Sequence, residues 1–191
     1  MPSTLISRRA LALGLVALPA GVGIAARAAG ASGTMENPNP ATGDGLTHTA
    51  AEIHQEVAFK APRRKVYEAL TQSKHFDAIT RLSDALALVT APGAKHTSIS
   101  HEAGGPFTLF GGYITGRNVE LVRDERLVQV WRAQSWGAGD YSIARFVLVD
   151  DGSGSKLVFD HRGFPDGEGA HLASGWRSHY WDPMAKYLSQ M

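Results

Sequence analysis

The chain has 191 residues, 43% of them hydrophobic and 19% charged, with a formal net charge of +1 and no cysteine. That length fits one ordinary domain plus some extra sequence, and the lack of cysteine excludes disulfides, thiolate catalysis and Cys-based zinc sites. Residues 1–28 hold Arg8, Arg9 and Arg27 and no acid, so without those three cations the charge falls from +1 to −2, against a nucleic-acid binder that works by counterion release.

The N-terminus reads as an export signal over residues 1–28. A polar and basic start, MPSTLISRR, precedes an apolar run from Ala10 to Ala26, and Ala26-Arg27-Ala28 supplies the small-x-small pattern of a signal-peptidase site. Ser7-Arg8-Arg9-Ala10-Leu11 resembles a twin-arginine signal. A periplasmic or secreted protein is expected, with no stable membrane span after cleavage. Residues 29–51 are rich in Gly, Ser, Thr, Asn and Pro and show no hydrophobic period, so a flexible linker is expected there.

From residue 52 onward the pattern becomes that of a folded domain. Glu52 to Lys60 alternates, with Ile53, Gln55, Val57 and Phe59 on one mostly apolar face, and predicts a strand. Pro62 suits the first turn of a helix over Arg63 to Gln72, which places Val66, Ala69 and Leu70 together with Tyr67 beside them. A shorter helix is expected over Lys74 to Ala78, and Arg81 to Thr97 reads as helix or irregular loop. Strands follow at Phe107 to Gly111, Gly112 to Val122, Leu127 to Trp136, Tyr141 to Val149 and Lys156 to Gly163. Gly111-Gly112 suits a bulge or tight bend, and DDGSG from Asp150 is a hairpin turn. Short strands joined by turns predict an antiparallel meander whose inner face needs an apolar cover.

The last segment, GEGAHLASGWRSHYWDPMAKYLSQM from Gly167, supplies that cover. Leu172, Trp176, Tyr180, Met184 and Leu188 recur every four residues and predict one buried helical stripe. His171, Arg177, Ser178 and Lys186 fall largely away from it. Pro183 lacks an N–H and crowds the carbonyl four residues back, so a kink is expected near Trp181.

This order of elements, with particular residues, resembles the SRPBCC or START-like superfamily, within it the activator of heat-shock protein 90 ATPase homologue branch. The resemblance rests on Ala61-Pro62 with Val66 to Thr71, Gly104-Gly105-Pro106-Phe107 and the glycines to Gly116. It also rests on Arg126-Leu127-Val128 with Trp131-Arg132, on His161 to Pro165, and on Gly175-Trp176 with Tyr180. It covers about residues 52–190 and departs at HFDAITRL, where Phe76 and Ile79 stand in place of a tryptophan carried by many relatives. The resemblance implies an α+β helix-grip (START/Bet v-like) fold over residues 52–191. Two short helices follow the first strand, and a curved antiparallel sheet wraps the long C-terminal helix. It also implies an apolar cavity between sheet and helix for a hydrophobic small molecule such as a lipid or polyketide.

The residues expected to meet that ligand are Phe107, Phe110, Tyr113, Trp131, Arg145, Phe159, His161, Trp176 and Tyr180, because small-molecule pockets are mostly apolar with a few placed polar groups. Strand alternation turns Leu157, Phe159 and His161 to one face, and His161 is the candidate catalytic residue, as a general base near neutral pH. Neither the eight histidines nor the serines fall in a metal-ligand or nucleophile-elbow spacing, and the glycine pairs lack a phosphate-binding pattern. No metal, cofactor or nucleic-acid partner is expected. Binding or carrying a hydrophobic molecule in the cell envelope leads the readings. A cyclase or dehydratase using the same cavity and a protein-interaction module without ligand are the alternatives.

Overall fold

The computed structural model describes residues 52–191, so the expected export signal and linker lie outside the described residues. Strand β1 (Glu52–Phe59) leads into helices α1 (Arg63–Thr71), α2 (Ser73–Thr80) and α3 (Leu86–Thr90). Six further strands follow: β2 (Ser98–Ile99), β3 (Pro106–Leu109), β4 (Ile114–Val122), β5 (Arg126–Ala133), β6 (Ser142–Asp151) and β7 (Gly154–Arg162). All seven form one antiparallel sheet in the order β1-β7-β6-β5-β4-β3-β2. The sheet is curved, and its inner face holds the core, as expected of a helix-grip domain.

Side-chain alternation decides which residues reach that core. On β7, Ser155, Leu157, Phe159 and His161 point inward, and Lys156, Val158, Asp160 and Arg162 point outward. The register carries this parity across the sheet. Phe159 lies opposite Gln55 on β1 and Phe146 on β6, and Trp131 on β5 lies opposite Ser142 on one side and Gly116 on the other. The outward face is laced with ion pairs such as Glu56–Lys156 and Glu120–Arg126, which is why one face of an antiparallel sheet can stay in water.

The C-terminal cover is built in three pieces. Helix α4 (Gly169–Trp176) runs into a π turn (Arg177–Trp181) and then α5 (Asp182–Leu188), with Pro183 in the first turn of α5. Pro183 has no N–H for an interior helical bond, and the wider π turn just before it absorbs the resulting irregularity. All five stripe residues are buried, and the π turn brings Trp181 inward as well. Full burial of a large apolar side chain such as Met184 stabilises by roughly 1.5–3 kcal/mol relative to exposure. Gln55 fastens the two halves of this cover to β1. Its Nε2 donates to the Ala173 carbonyl at 2.9 Å, and its Oε1 accepts from the Trp181 indole N–H.

Candidate functional site

Two neighbouring environments divide the inner face. Under β1, β7 and β6 the space is filled by Phe146, Phe159 and Trp181, with the Phe159 ring 4.4 Å from that of Trp176. His161 sits among these rings and is fully buried. The Trp176 indole N–H can only donate, so it gives its hydrogen to His161 Nδ1 at 3.0 Å. A neutral ring then carries its proton on Nε2, which donates to Ser142 Oγ at 2.7 Å, and the Ser142 hydroxyl passes its own hydrogen to the Trp131 carbonyl at 3.0 Å. Burial pushes the His161 pKa down to about 3, which keeps the imidazole neutral at ordinary pH. Both ring nitrogens are thus committed to Trp176 and Ser142, and in this arrangement His161 holds a tryptophan in place.

Beyond Trp176 the packing opens into a cavity of about 90 Å³. Its aromatic wall is Phe110, Tyr113, Trp131, Trp176 and Tyr180. Ala85 and Leu88 from the α3 region, Ile114 from β4, and Leu172 and Gly175 from α4 complete the apolar lining; His171 and His179 stand on the helical side. The edge-on packing of Phe76 on Phe110 and Tyr180, with ring centroids 5.3 and 5.5 Å apart, braces the wall from behind. Phe76 belongs to the stretch where the resemblance expected a tryptophan.

Local backbone shapes the rim. Phe110, Gly111 and Gly112 all have positive φ (49°, 70° and 100°), a left-handed turn that costs little at glycine and more at Phe110. A Cβ on Gly111 would lie 2.2 Å from the Leu88 carbonyl oxygen, so only glycine lets α3 settle on this turn. Helix α3 itself buries no side chain, and Leu88 is exposed at the cavity edge.

Polar atoms separate the cavity from the filled core. Among the described residues, six buried side-chain polar atoms lack a hydrogen-bond partner within the protein, and three of them, Trp131 Nε1, Tyr180 Oη and His179 Nδ1, belong to cavity-lining residues. Burial pushes the Tyr180 phenol up, while the neighbouring Trp131 side chain pulls the other way without reaching good hydrogen-bond geometry. Burial lowers the His179 pKa; Asp84 opposes this and His171 reinforces it.

Of the residues the sequence pointed to, Phe110, Tyr113, Trp131, Trp176 and Tyr180 therefore meet at one cavity. Phe159 and His161 lie behind Trp176 in the filled region. Phe107 packs its ring over Gly116, where a Cβ would lie 2.4 Å from its Cζ, and is not among the cavity-lining residues. Arg145 stands on the outer face, 3.2 Å from Asp160, and does not join them. Ala85 and Leu88 of the α3 region, Ile114, His171, Leu172, Gly175 and His179 also line the cavity and were not in that set. Helix α3 carries no strong periodicity, whereas His179 stands seven residues after Leu172 and three after Trp176, a helical spacing that did carry a signal for it. The sequence did carry a signal for Arg145, since Ala144, Phe146 and Leu148 alternate against it on β6. Among the described residues, no group of three or more His, Asp or Glu is placed to hold a metal ion, and no helix is long and apolar enough to cross a membrane.

The family model described as activator of Hsp90 ATPase homolog 1-like protein matches residues 60–189. The chain belongs to this family. Activator of Hsp90 ATPase homolog 1-like relatives include the human activator of 90 kDa heat shock protein ATPase homolog 1, 25% identical over 66% of this chain and 37% of its own length. The chain thus spans little more than a third of that curated relative. Among solved structures of the same fold, an Hsp90 activator from Plasmodium falciparum superposes with a TM-score of 0.62 at 20% identity, covering 73% of this chain and 96% of its own. A protein from the dynemicin biosynthetic locus gives a TM-score of 0.55 at 21% identity, covering 74% of this chain and 48% of its own. CalU16 from Micromonospora echinospora gives 0.55 at 19% identity, covering 76% and 83%. Likeness at these identities concerns the fold alone.

Proposed function

We propose that this member of the activator of Hsp90 ATPase homolog 1-like family binds or carries a compact hydrophobic small molecule in the cell envelope. The observation that carries the reading is the cavity of about 90 Å³ beside an otherwise filled core, with an aromatic and aliphatic lining. A long acyl chain exceeds that volume, so a small ring system or short branched chain suits it better than a large lipid. The twin-arginine pattern at Arg8-Arg9 supports the envelope setting. Mass spectrometry of organic extracts from protein purified out of its own periplasmic fraction tests both parts. A recurrent apolar compound in the wild type, reduced when Gly175→Leu fills the cavity from the helix side, is expected. Its absence, together with no binding of small apolar probes, removes the reading. Export is tested separately, since Arg8→Lys with Arg9→Lys should leave the protein in the cytoplasmic fraction.

The names of the curated relatives favour a second reading, stimulation of an Hsp90 ATPase. An ATPase assay with added protein discriminates, and stimulation that survives Gly175→Leu would point to a surface role independent of the cavity.

A further inference from the structure

Buried polar groups in folded proteins are nearly always paired, so a cluster that is not calls for a partner from outside the chain. Trp131 and Tyr180 are 3% and 5% exposed, and neither Nε1 of the first nor Oη of the second makes a hydrogen bond of full geometry within the protein, their one mutual contact being too poorly aligned to satisfy either. We propose that the cavity receives the carbonyl oxygen of an uncharged, compact apolar molecule, with the Trp131 indole N–H and the Tyr180 hydroxyl both donating to that oxygen. This rests on the small-molecule reading above and specifies its chemistry.

Three observations select that class. An indole N–H has no acceptor capacity, so whatever meets Trp131 must offer a lone pair. Tyr180 lies beside it close enough for the indole to influence its phenol, and burial keeps that phenol protonated, so it has a hydrogen to donate. A carbonyl oxygen has two lone pairs and can take both donors at once. Charge then narrows the choice. No Lys, Arg, Asp or Glu lines the cavity, and burial holds His179 toward its neutral form. A carboxylate or ammonium entering there would lose its hydration without a countercharge, which is strongly unfavourable. Volume sets the scale. A dry protein cavity of about 150 Å³ accepts benzene, so the smaller 90 Å³ here takes the carbonyl end and part of one small ring, and the remainder extends past Leu88 and His171, both exposed. His179 Nδ1 is left for a second polar group or a water.

The four tryptophan indole N–H signals report on the proposal directly by NMR. Cyclohexanone and methylenecyclohexane share shape and differ in the acceptor oxygen, and cyclohexanecarboxylate adds charge. Cyclohexanone is expected to bind about tenfold more tightly than the hydrocarbon, the effect of one to two neutral hydrogen bonds, and the carboxylate more weakly than either. The Trp131 indole proton should move downfield with cyclohexanone alone. Trp176 and Trp181, which already donate to His161 and Gln55, should hold their positions. Trp131→Phe and Tyr180→Phe should each bring cyclohexanone toward the hydrocarbon's affinity and leave the hydrocarbon unchanged. Equal binding of the two isosteres, or a Trp131 signal indifferent to the ketone, would mean that water alone serves these groups and would overturn the proposal while leaving an apolar binding site. Binding of neither isostere would overturn the small-molecule reading as well. The wild-type comparison decides even if a variant fails to fold.

Discussion

Under β1, β7 and β6 the space below the C-terminal helix is filled and its polar atoms are paired; under β5 and β4 the same helix leaves a cavity, and polar atoms of residues that line it are unpaired. Both regions are aromatic, both are buried, and Trp176 belongs to each. Its indole N–H is spent on His161 on one side, and its ring lines the cavity on the other. Aromatic content and burial therefore do not distinguish a site from a core in this domain. Polar satisfaction separates the two sides of Trp176, because an unpaired buried donor costs free energy that packing alone cannot recover.

The largest expected effect comes from truncating one leucine on each side. Leu157 is fully buried in the filled region, whereas Leu172 lines the cavity. Leu157→Ala should destabilise by about 4 kcal/mol, near the upper part of the range for buried leucines, and Leu172→Ala by about 2–3, because part of its surface already lacks neighbours. Urea midpoints at constant m-value measure both, and equal losses would mean that the two regions are packed alike.

Next in size is His161→Leu, which strands the Trp176 N–H, removes the hydrogen that Ser142 Oγ accepts and should cost about 2–3 kcal/mol at pH 7. That difference should depend on pH with a fixed sign. The folded pKa of about 3 lies below the usual value of 6.5, so the unfolded chain binds the extra proton first. The contribution of a neutral His161 is fully present above pH 6.5 and is lost as pH falls toward 3, at up to about 1.4 kcal/mol per pH unit. The gap between wild type and variant should narrow steadily from pH 6.5 to 4.5. No ionisable side chain is among the ring and hydrogen-bond neighbours of His161, namely Ser142, Trp131, Phe159, Phe164 and Trp176, so other titrations largely cancel in the difference. A gap that stays constant with pH would show that His161 is already charged or solvated in the fold.

Period-two and period-four patterns made most of the architecture legible. The inward parity of Leu157, Phe159 and His161 and the stripe from Leu172 to Leu188 follow from side-chain geometry alone, and Pro183 announced an irregular helix. What it did not announce was the form of the irregularity. A π turn adds a residue to one turn, so Trp181 joins the buried face. The partners of polar atoms were illegible for a different reason. Gln55 sits 118 residues from Ala173 and 126 from Trp181, and no local pattern encodes a contact made through tertiary packing. The same holds for the cavity wall supplied by Ala85 and Leu88, which depends on α3 settling on the Gly111 turn. A list of aromatic residues thus recovered five cavity residues but gave no way to separate them from Phe107 and Phe159.

The smallest effects give the sharpest contrast, because deleting a single hydroxyl should change sign across Trp176. Ser142→Ala removes an oxygen that accepts from His161 Nε2–H and donates to the Trp131 carbonyl, leaving two buried groups without it, and should destabilise by about 1–2 kcal/mol. Tyr180→Phe keeps the ring contacts with Phe76, Phe110 and Trp176 while removing an oxygen that has no partner in the protein. Without ligand it should leave stability unchanged or raise it by about 1 kcal/mol, the typical cost of an unsatisfied buried group. A retained residue whose removal stabilises the free protein is one kept for something other than the fold. A loss of stability in Tyr180→Phe comparable to that in Ser142→Ala would instead mean that the phenol is satisfied in solution, and the distinction between the two sides of Trp176 would disappear.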